Sequence, residues 1–333
     1  MAGAGEVGRR VARELVGLDA VSAVVITAGA AKSRSRLRGA LGPKVESLAD
    51  GAGLHEAALD VLVLCTPDET QLDDARSALA AGAHVVSLAD SVATVGSLLG
   101  LDDFAREVGR SVVVGSAASP GLSVLLARHA ADLFDEVDEV VIGVTGTAGP
   151  ACLERRTRAA RTDTQEWRDG RWVDCDARSG PELIWFPEPL GAVDCARGDL
   201  SDILLLRRVL PAAPVLSAKM GRPASSPVPK RLRRRGGAAR PVDDAGVRVA
   251  VTGRIDGSPE TVVYSAVAPA ATSSAALAAV MALRVAEPRT DGSDGGRPSP
   301  PWAGGVAEFV APIDALRAVG ARGVRMLVFE GID

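Results

Sequence analysis

The chain opens Met1-Ala2-Gly3-Ala4-Gly5-Glu6-Val7-Gly8 and continues "RRVARELV" (9–16). Gly3, Gly5 and Gly8 form a G-x-G-x-x-G. Behind them Val7, Val11, Leu15 and Val16 recur at helical spacing, so residues 6–17 read as a helix. Such a turn ordinarily joins the end of a buried strand to the start of a helix. Each glycine then has a physical role. Gly3 makes the turn, Gly5 lets backbone approach a pyrophosphate, and Gly8 lets the helix pack on the sheet. The helix start supplies N–H groups and partial positive charge for phosphates, with Glu6 and Val7 in its first turn. Only Met1 and Ala2 precede the glycines, so the first strand is apparently missing. The expected explanation is a start codon assigned too late. A truncation that damages cofactor binding is the alternative.

Outward from the turn, short apolar runs alternate with helical patterns. "SAVVITAG" (22–29), "LDVLVLCTP" (59–67), "AHVVSLA" (83–89) and "SVVVGSA" (111–117) read as strands. Residues 68–82 and 98–109 read as the intervening helices. Continuous apolar strands alternating with helices predict an α/β, Rossmann-type, doubly wound parallel sheet covered on both faces. Its cofactor end is expected to include Cys65, Thr66 and Pro67, where the second of these strands stops. After the first, Thr27-Ala28-Gly29 offers no acid for a ribose hydroxyl. Lys32, Arg34 and Arg36 follow in what reads as a basic loop. Cations at this place suit a 2′-phosphate, so NADP is expected over NAD. A merely solvated, Arg-rich loop is the plainer alternative.

Bulk properties narrow the classes. With 333 residues the chain has room for roughly two domains. A net charge of −4 argues against nucleic acid as the main partner. No apolar run approaches the ~20 residues of a membrane helix, and no signal peptide is evident. The four cysteines are scattered without a C-x-x-C, and there are three histidines, so no metal site is expected. A cytoplasmic protein acting on a small molecule fits best.

The strand at 111–117 runs into "ASPGLSVLLARHAADLF" (118–134), where Ser119 reads as a helix N-cap and Pro120 as the first helical residue. Ser119, Gly121 and Ser123 are candidates to meet a substrate, or mere capping residues. From about residue 136 the period changes to two. Strands are predicted at 136–147, 182–189, 213–220, 246–255 and 260–268, with helices at 151–166, 199–210 and 272–287. This predicts an α+β unit built on an antiparallel sheet. Arg155, Arg156, Arg158 and Arg161 crowd one helix, where Glu154 can pair with Arg158 and other guanidiniums can clamp a carboxylate or simply face water. Trp185, Glu188 and Asp194 lie in what reads as a Pro-stiffened, pocket-lining loop, with Arg197 the nearest cation for an acidic substrate. Trp185 has core packing as its plainer role. The segments 222–241 and 288–301 read as Pro/Gly-rich loops, and "KRLRRR" (230–235) as a solvated basic run. The expected division is residues 1–120 for nucleotide, 121–302 for substrate and dimerisation, and a 303–333 helix–strand tail returning to one of the sheets.

Three stretches carry a family resemblance: "GSAASPGLSVLLARH" (115–129), "DVLVLCTP" (60–67) with "ALAAGAHVVSLAD" (78–90), and "GAGEVGRRVAREL" (3–15). Together they resemble the saccharopine dehydrogenase-like NAD(P)-binding oxidoreductases, over residues 1–135. The resemblance implies an NAD(P) domain followed by an α+β domain that holds substrate and forms a homodimer. It also implies hydride transfer at an amine or imine carbon, on an unidentified amino- or oxo-acid. Two departures stand out: Ser119 where the family often has an acid, and the absent first strand. No catalytic acid or base is singled out. A sugar or polyol dehydrogenase of the glucose–fructose oxidoreductase type would carry a Lys-Pro pair where this chain has "SLADS" (87–91). A non-catalytic, cofactor-sensing Rossmann protein is the alternative from another class.

Overall fold

The computed structural model describes residues 1–49, 53–221, 244–287 and 302–330. The two Pro/Gly-rich segments and the basic run 230–235 lie outside them. The first part of the chain forms α1 (Glu6–Val16), β1 (Val24–Ile26), α2 (Ala31–Leu41), β2 (Val45–Ser47), β3 (Val61–Leu64), α3 (Asp68–Ala80), β4 (His84–Ser87), α4 (Val92–Leu99), α5 (Asp102–Glu107) and β5 (Val112–Val114). These strands are parallel, and β3, β4 and β5 are buried because helices cover both faces.

The central position between β1 and β3 is held by residues 1–3. Ala2 bridges in parallel to Ala28 on one side and to Leu64 on the other. Its N–H donates to Val63 O at 2.9 Å and its carbonyl accepts from Cys65 N at 2.8 Å, while Thr27 N donates to Met1 O at 2.9 Å. The order β2, β1, residue 2, β3, β4, β5 is therefore that of a doubly wound parallel sheet. Residues 1–3 make the pairing at that central position.

The second part contributes α6 (Leu122–Ala131), β6 (Glu136–Thr145), α7 (Pro150–Ala159), β7 (Thr164–Arg168), β8 (Arg171–Cys175), β9 (Glu182–Phe186), β10 (Gly191–Arg197), α8 (Asp202–Val209), β11 (Val215–Gly221), β12 (Asp244–Ile255) and β13 (Ser258–Pro269). The chain closes with α9 (Ala270–Ala286), β14 (Ala303–Gly305), α10 (Val306–Phe309), α11 (Pro312–Gly320) and β15 (Arg325–Glu330). The large sheet runs β15-β13-β12-β6-β11-β10-β9, with the β7–β8 hairpin attached to β11. It is mixed and not wholly antiparallel, because β6 and β11 run parallel, joined by the long crossover that contains α7 and α8. The C-terminal segment serves both sheets: β14 extends the parallel sheet beside β5, and β15 edges the large sheet beside β13.

Three local expectations change. The helix predicted to residue 166 stops at Ala159, and 164–175 is a hairpin. Asp169 and Gly170 both take positive φ, 47° and 82°, as a two-residue Asp-Gly hairpin turn requires. The loop predicted around Trp185–Asp194 is the β9–β10 hairpin. Ser119 is not the cap of α6. That helix begins at Leu122 with Gly121 as N-cap at φ 140°, where a Cβ would overlap the carbonyls of Gly115 and Ala117.

The two sheets meet across α9, whose Ala275, Ala276, Leu277, Ala278, Ala279 and Met281 are fully buried. Alanines keep the interhelical gap small, and α9 lies against both α1 and β13. Gly8 serves a different close approach, that of α1 to the glycine turn, since a Cβ there would overlap Gly3 O. Gly8→Ala is accordingly expected to destabilise the protein by roughly 1–3 kcal/mol, the usual cost of overpacking. Chemical denaturation checks this, and an unchanged midpoint would show that α1 does not need that contact.

Candidate functional site

The glycine turn sits at the carboxyl ends of the strands. Gly3 takes φ 102°, and its Cα lies so close to β3 that an added Cβ would stand 2.6 Å from Cys65 O. Gly5 is the N-cap of α1 without any side-chain cap, and a Cβ placed on it meets nothing within 4 Å. So the N-terminus of α1 carries no side-chain cap, and the space above Gly5 is open. That geometry can seat a phosphate. Glu6 pairs with Arg9 on the outer side of the helix. The Cys65 thiol is pushed up to about 12 by burial, so what this residue offers the crevice is backbone.

The cations after β1 lie on a helix and not in a loop. They occupy the first turns of α2, which contain no acid. Lys32 and Arg36, four residues apart, share one face and are exposed; Arg34 is half-buried on another.

At the next strand ends a buried polar network replaces the expected open pocket. Ser87 Oγ donates to Gln71 Oε1 at 2.7 Å, and Gln71 Nε2 donates to Thr66 O at 2.8 Å. Asp68 accepts from Ser91 N at 2.9 Å, fixing the start of α3 against the start of α4. Ser119 Oγ donates to Asp202 Oδ2 at 2.8 Å, Ser123 Oγ bonds Asp202 Oδ1, and Gly121 N donates to Ser123 Oγ at 3.3 Å. Asp202 is fully buried, and burial pushes its carboxyl up against the hydrogen bonds of Ser123 and Ser119 and the charge of Arg156. The two serines are thus committed to a carboxylate from α8. Local residue order carries no sign of this, because the serines stand 83 and 79 positions from their partner.

Over these strand ends lies α7. Gly149, its N-cap, is close enough to α1 that a Cβ would stand 3.3 Å from Glu6 Cβ. Arg158 reaches Glu69 at 3.2 Å, and Arg155 pairs with Asp90 just beyond the end of β4. Burial pushes the Asp90 carboxyl up to about 6, although Arg155 and Arg156 oppose the shift. Arg156 is only 9% exposed, yet its Nε has no acceptor among the described residues, and neither has the buried Nη2 of Arg155. Buried guanidinium nitrogens nearly always find acceptors. Here two of them are left over beside the crevice at the strand ends. Glu154 and Arg158 approach at 3.9 Å on the solvent face of the same helix.

The remaining candidates sit elsewhere. Trp185 is 67% exposed on β9, at the edge of the large sheet, while its neighbours Ile184 and Phe186 point inward. Glu188 and Asp194 are exposed, and Arg325 donates to Glu188 O. Arg197 is held by the buried Glu166, at 2.7 Å and 3.0 Å, and Glu166 also takes Arg168 at 2.6 Å. Strand alternation explains the miss: a hairpin sends alternate side chains to opposite faces. Among the described residues no group of His, Cys, Asp and Glu can hold a metal, and no helix is long and apolar enough to cross a membrane.

No family model matches the chain. Among solved structures, saccharopine dehydrogenase (L-Glu forming) from Saccharomyces cerevisiae superposes with a TM-score of 0.69 at 14% identity, covering 98% of each chain. A putative myo-inositol dehydrogenase from Sinorhizobium meliloti reaches 0.46 at 12% identity, covering 98% and 97%. GenD2 from gentamicin A biosynthesis, in complex with NAD, reaches 0.47 at 14%, covering 99% and 95%. The yeast enzyme shows the fold, a Rossmann-type parallel sheet with a second unit, over 98% of the chain.

The network makes Arg197 a structural residue. Burial raises the Glu166 carboxyl, but hydrogen bonds from Arg197 and Arg168 outweigh it and hold it below the usual carboxylate range. Its stabilisation is therefore present at neutral pH and lost as the pH falls through the lowered value. Arg197→Ala is expected to cost about 2 kcal/mol at pH 7, less than stripping a buried charge completely because Arg168 remains. The difference from the parent should shrink in acid. An equal loss of stability at every pH would contradict the ion-pair assignment.

Proposed function

We propose that the protein is an NAD(P)-dependent oxidoreductase acting on a small amino- or oxo-acid. The observation that carries this is the uncapped N-terminus of α1, open over Gly5 at the carboxyl end of a doubly wound sheet. The dehydrogenase architecture shared with the yeast enzyme supports the reading without establishing activity. On this reading Gly3, Gly5 and Gly8, with Glu6 and Val7 in the first turn of α1, would hold the pyrophosphate. The backbone of Cys65, Thr66 and Pro67 borders the path toward the nicotinamide. That ring supplies hydride transfer when bound.

The chain's own residues would do the rest. Arg155 and Arg156, with unsatisfied nitrogens in the crevice, are proposed to orient a substrate carboxylate. Asp90, its carboxyl pushed up to about 6, is the proposed proton carrier beside them. Ser119, Gly121 and Ser123 contribute indirectly, by fixing Asp202 behind Arg156. A homodimer belongs to the same proposal, and sedimentation analysis reads it directly.

Gly5→Val tests the cofactor assignment at a position where an added Cβ meets nothing within 4 Å. Melting should stay within a degree or two of the parent while calorimetry finds NADPH and NADH binding abolished. A folded Gly5→Val protein that binds either dinucleotide normally would contradict the proposal.

Discrimination between the two cofactors is assigned to the first turns of α2. NADPH should bind more tightly than NADH, and Lys32→Glu with Arg34→Glu should weaken NADPH alone. A charge-assisted contact of roughly 1.5–3 kcal/mol corresponds to about a ten- to hundredfold loss. Equal affinities in the parent protein would overturn this part and leave the dehydrogenase reading standing.

A further inference from the structure

A second concavity lies beyond the end of α7, away from the glycine turn. It encloses about 240 Å³ between α8, the β7–β8 hairpin and the start of α4. One wall is apolar: Val92, Leu200, Ile203 and Leu204. Facing it is Trp172, 39% exposed, an unusually large aromatic to leave open in a chain with 3% aromatics. Its indole is fixed edge-on against Trp167, with centroids 5.4 Å apart at 74°. The cation Arg207 already covers the Trp167 ring at 4.2 Å, whereas Trp172, partly exposed, lines the concavity.

The charged groups of this concavity have one sign. Asp163 and Asp199 line it, and among the described residues no Lys or Arg does. Asp163 Oδ1 accepts from Ala177 N at 2.8 Å, and Gln165 Nε2 donates to Asp174 at 2.7 Å, so both are engaged by the fold. Asp199 is different. Its N–H is tied to Ala159 O at 3.0 Å, which holds the residue in place, while its half-buried carboxylate makes no hydrogen bond among the described residues. Arg155 and Asp68 are the charged groups that act on it, with opposite signs, and burial pushes its carboxyl up.

An aromatic face, an aliphatic wall and one uncommitted carboxylate together complement a single chemistry. We propose that this pocket binds a short alkylammonium group. The ammonium would meet Asp199 and the face of Trp172, and the chain would lie along Leu200, Ile203 and Leu204. The volume is below the roughly 300–1,000 Å³ of sites for drug-sized ligands, which limits the occupant to one short chain. Occupancy of this pocket does not depend on a dinucleotide at the glycine turn.

The test uses the full chain and three probes of equal length: n-hexylammonium, hexan-1-ol and hexanoate. Isothermal calorimetry and tryptophan fluorescence should show saturable binding of hexylammonium, about tenfold or more tighter than the alcohol, the size of one charge-assisted contact. Hexanoate should bind more weakly still. Asp199→Asn should lose most of this preference without lowering the melting temperature, because partial burial disfavours the charge it removes. Trp172→Leu, on a partly exposed hairpin, should weaken hexylammonium by a similar factor. Equal binding of the three probes, no saturation in the millimolar range, or full affinity in either folded variant would overturn the proposal. Normal NADPH binding alongside such a failure would place the fault in this pocket and not in the cofactor assignment.

Discussion

The backbone pairing of residues 1–3 in the slot between β1 and β3 is the constraint on which the site depends. Without it, β1–β2 and β3–β4–β5–β14 are two separate parallel sheets. With it, Ala2 hydrogen-bonds across the slot to Val63 and Cys65, while Met1 and Gly3 bond toward Thr27 and Ala28. Those bonds bring Gly3 down onto the Cys65 carbonyl, an approach that permits no side chain. They also aim α1 across the carboxyl ends of the strands. The packing of α9 on α1 then sets the large sheet relative to the parallel sheet, so a few central hydrogen bonds position both halves.

The second determinant is charge held between the halves. Asp90 follows β4, Asp202 opens α8, and Arg155 and Arg156 enter from α7. Burying charge is unfavourable unless partners compensate it, and removing one partner costs more than the pair contributes. Asp202 is satisfied by two serines, whereas the guanidiniums retain unused donors. That asymmetry separates groups that hold the fold from groups available to a ligand. It moves the candidate anion contact from Arg197, which is bound to Glu166, to the buried face of α7.

Much of this is legible in residue order. The glycine spacing, the apolar runs and the helix at 6–17 indicate the parallel sheet, because a buried strand and an amphipathic helix each write their period into local sequence. The period-two runs indicate a second sheet. What stays hidden is non-local. Nothing near Ser119 signals Asp202, and nothing near Arg197 signals Glu166, since both contacts join elements distant in the chain. Two Asp-Gly turns, at 169–170 and 256–257, do carry local signals. The first of them marks the hairpin that cuts short the helix expected to residue 166. Whether an arginine clamp belongs to α7 or to β10 is decided only by burial and by the acceptors each guanidinium has already found.

If the α1 N-terminus over Gly5 is a dinucleotide phosphate site, a crystal structure of the full chain grown with saturating NADPH shows it most directly. The pyrophosphate should then lie within hydrogen-bonding distance of backbone N–H groups in the first turn of α1, with the adenosine 2′-phosphate at the start of α2. A dinucleotide bound elsewhere, or an empty turn with Gly5 unobstructed at saturating NADPH, would contradict it.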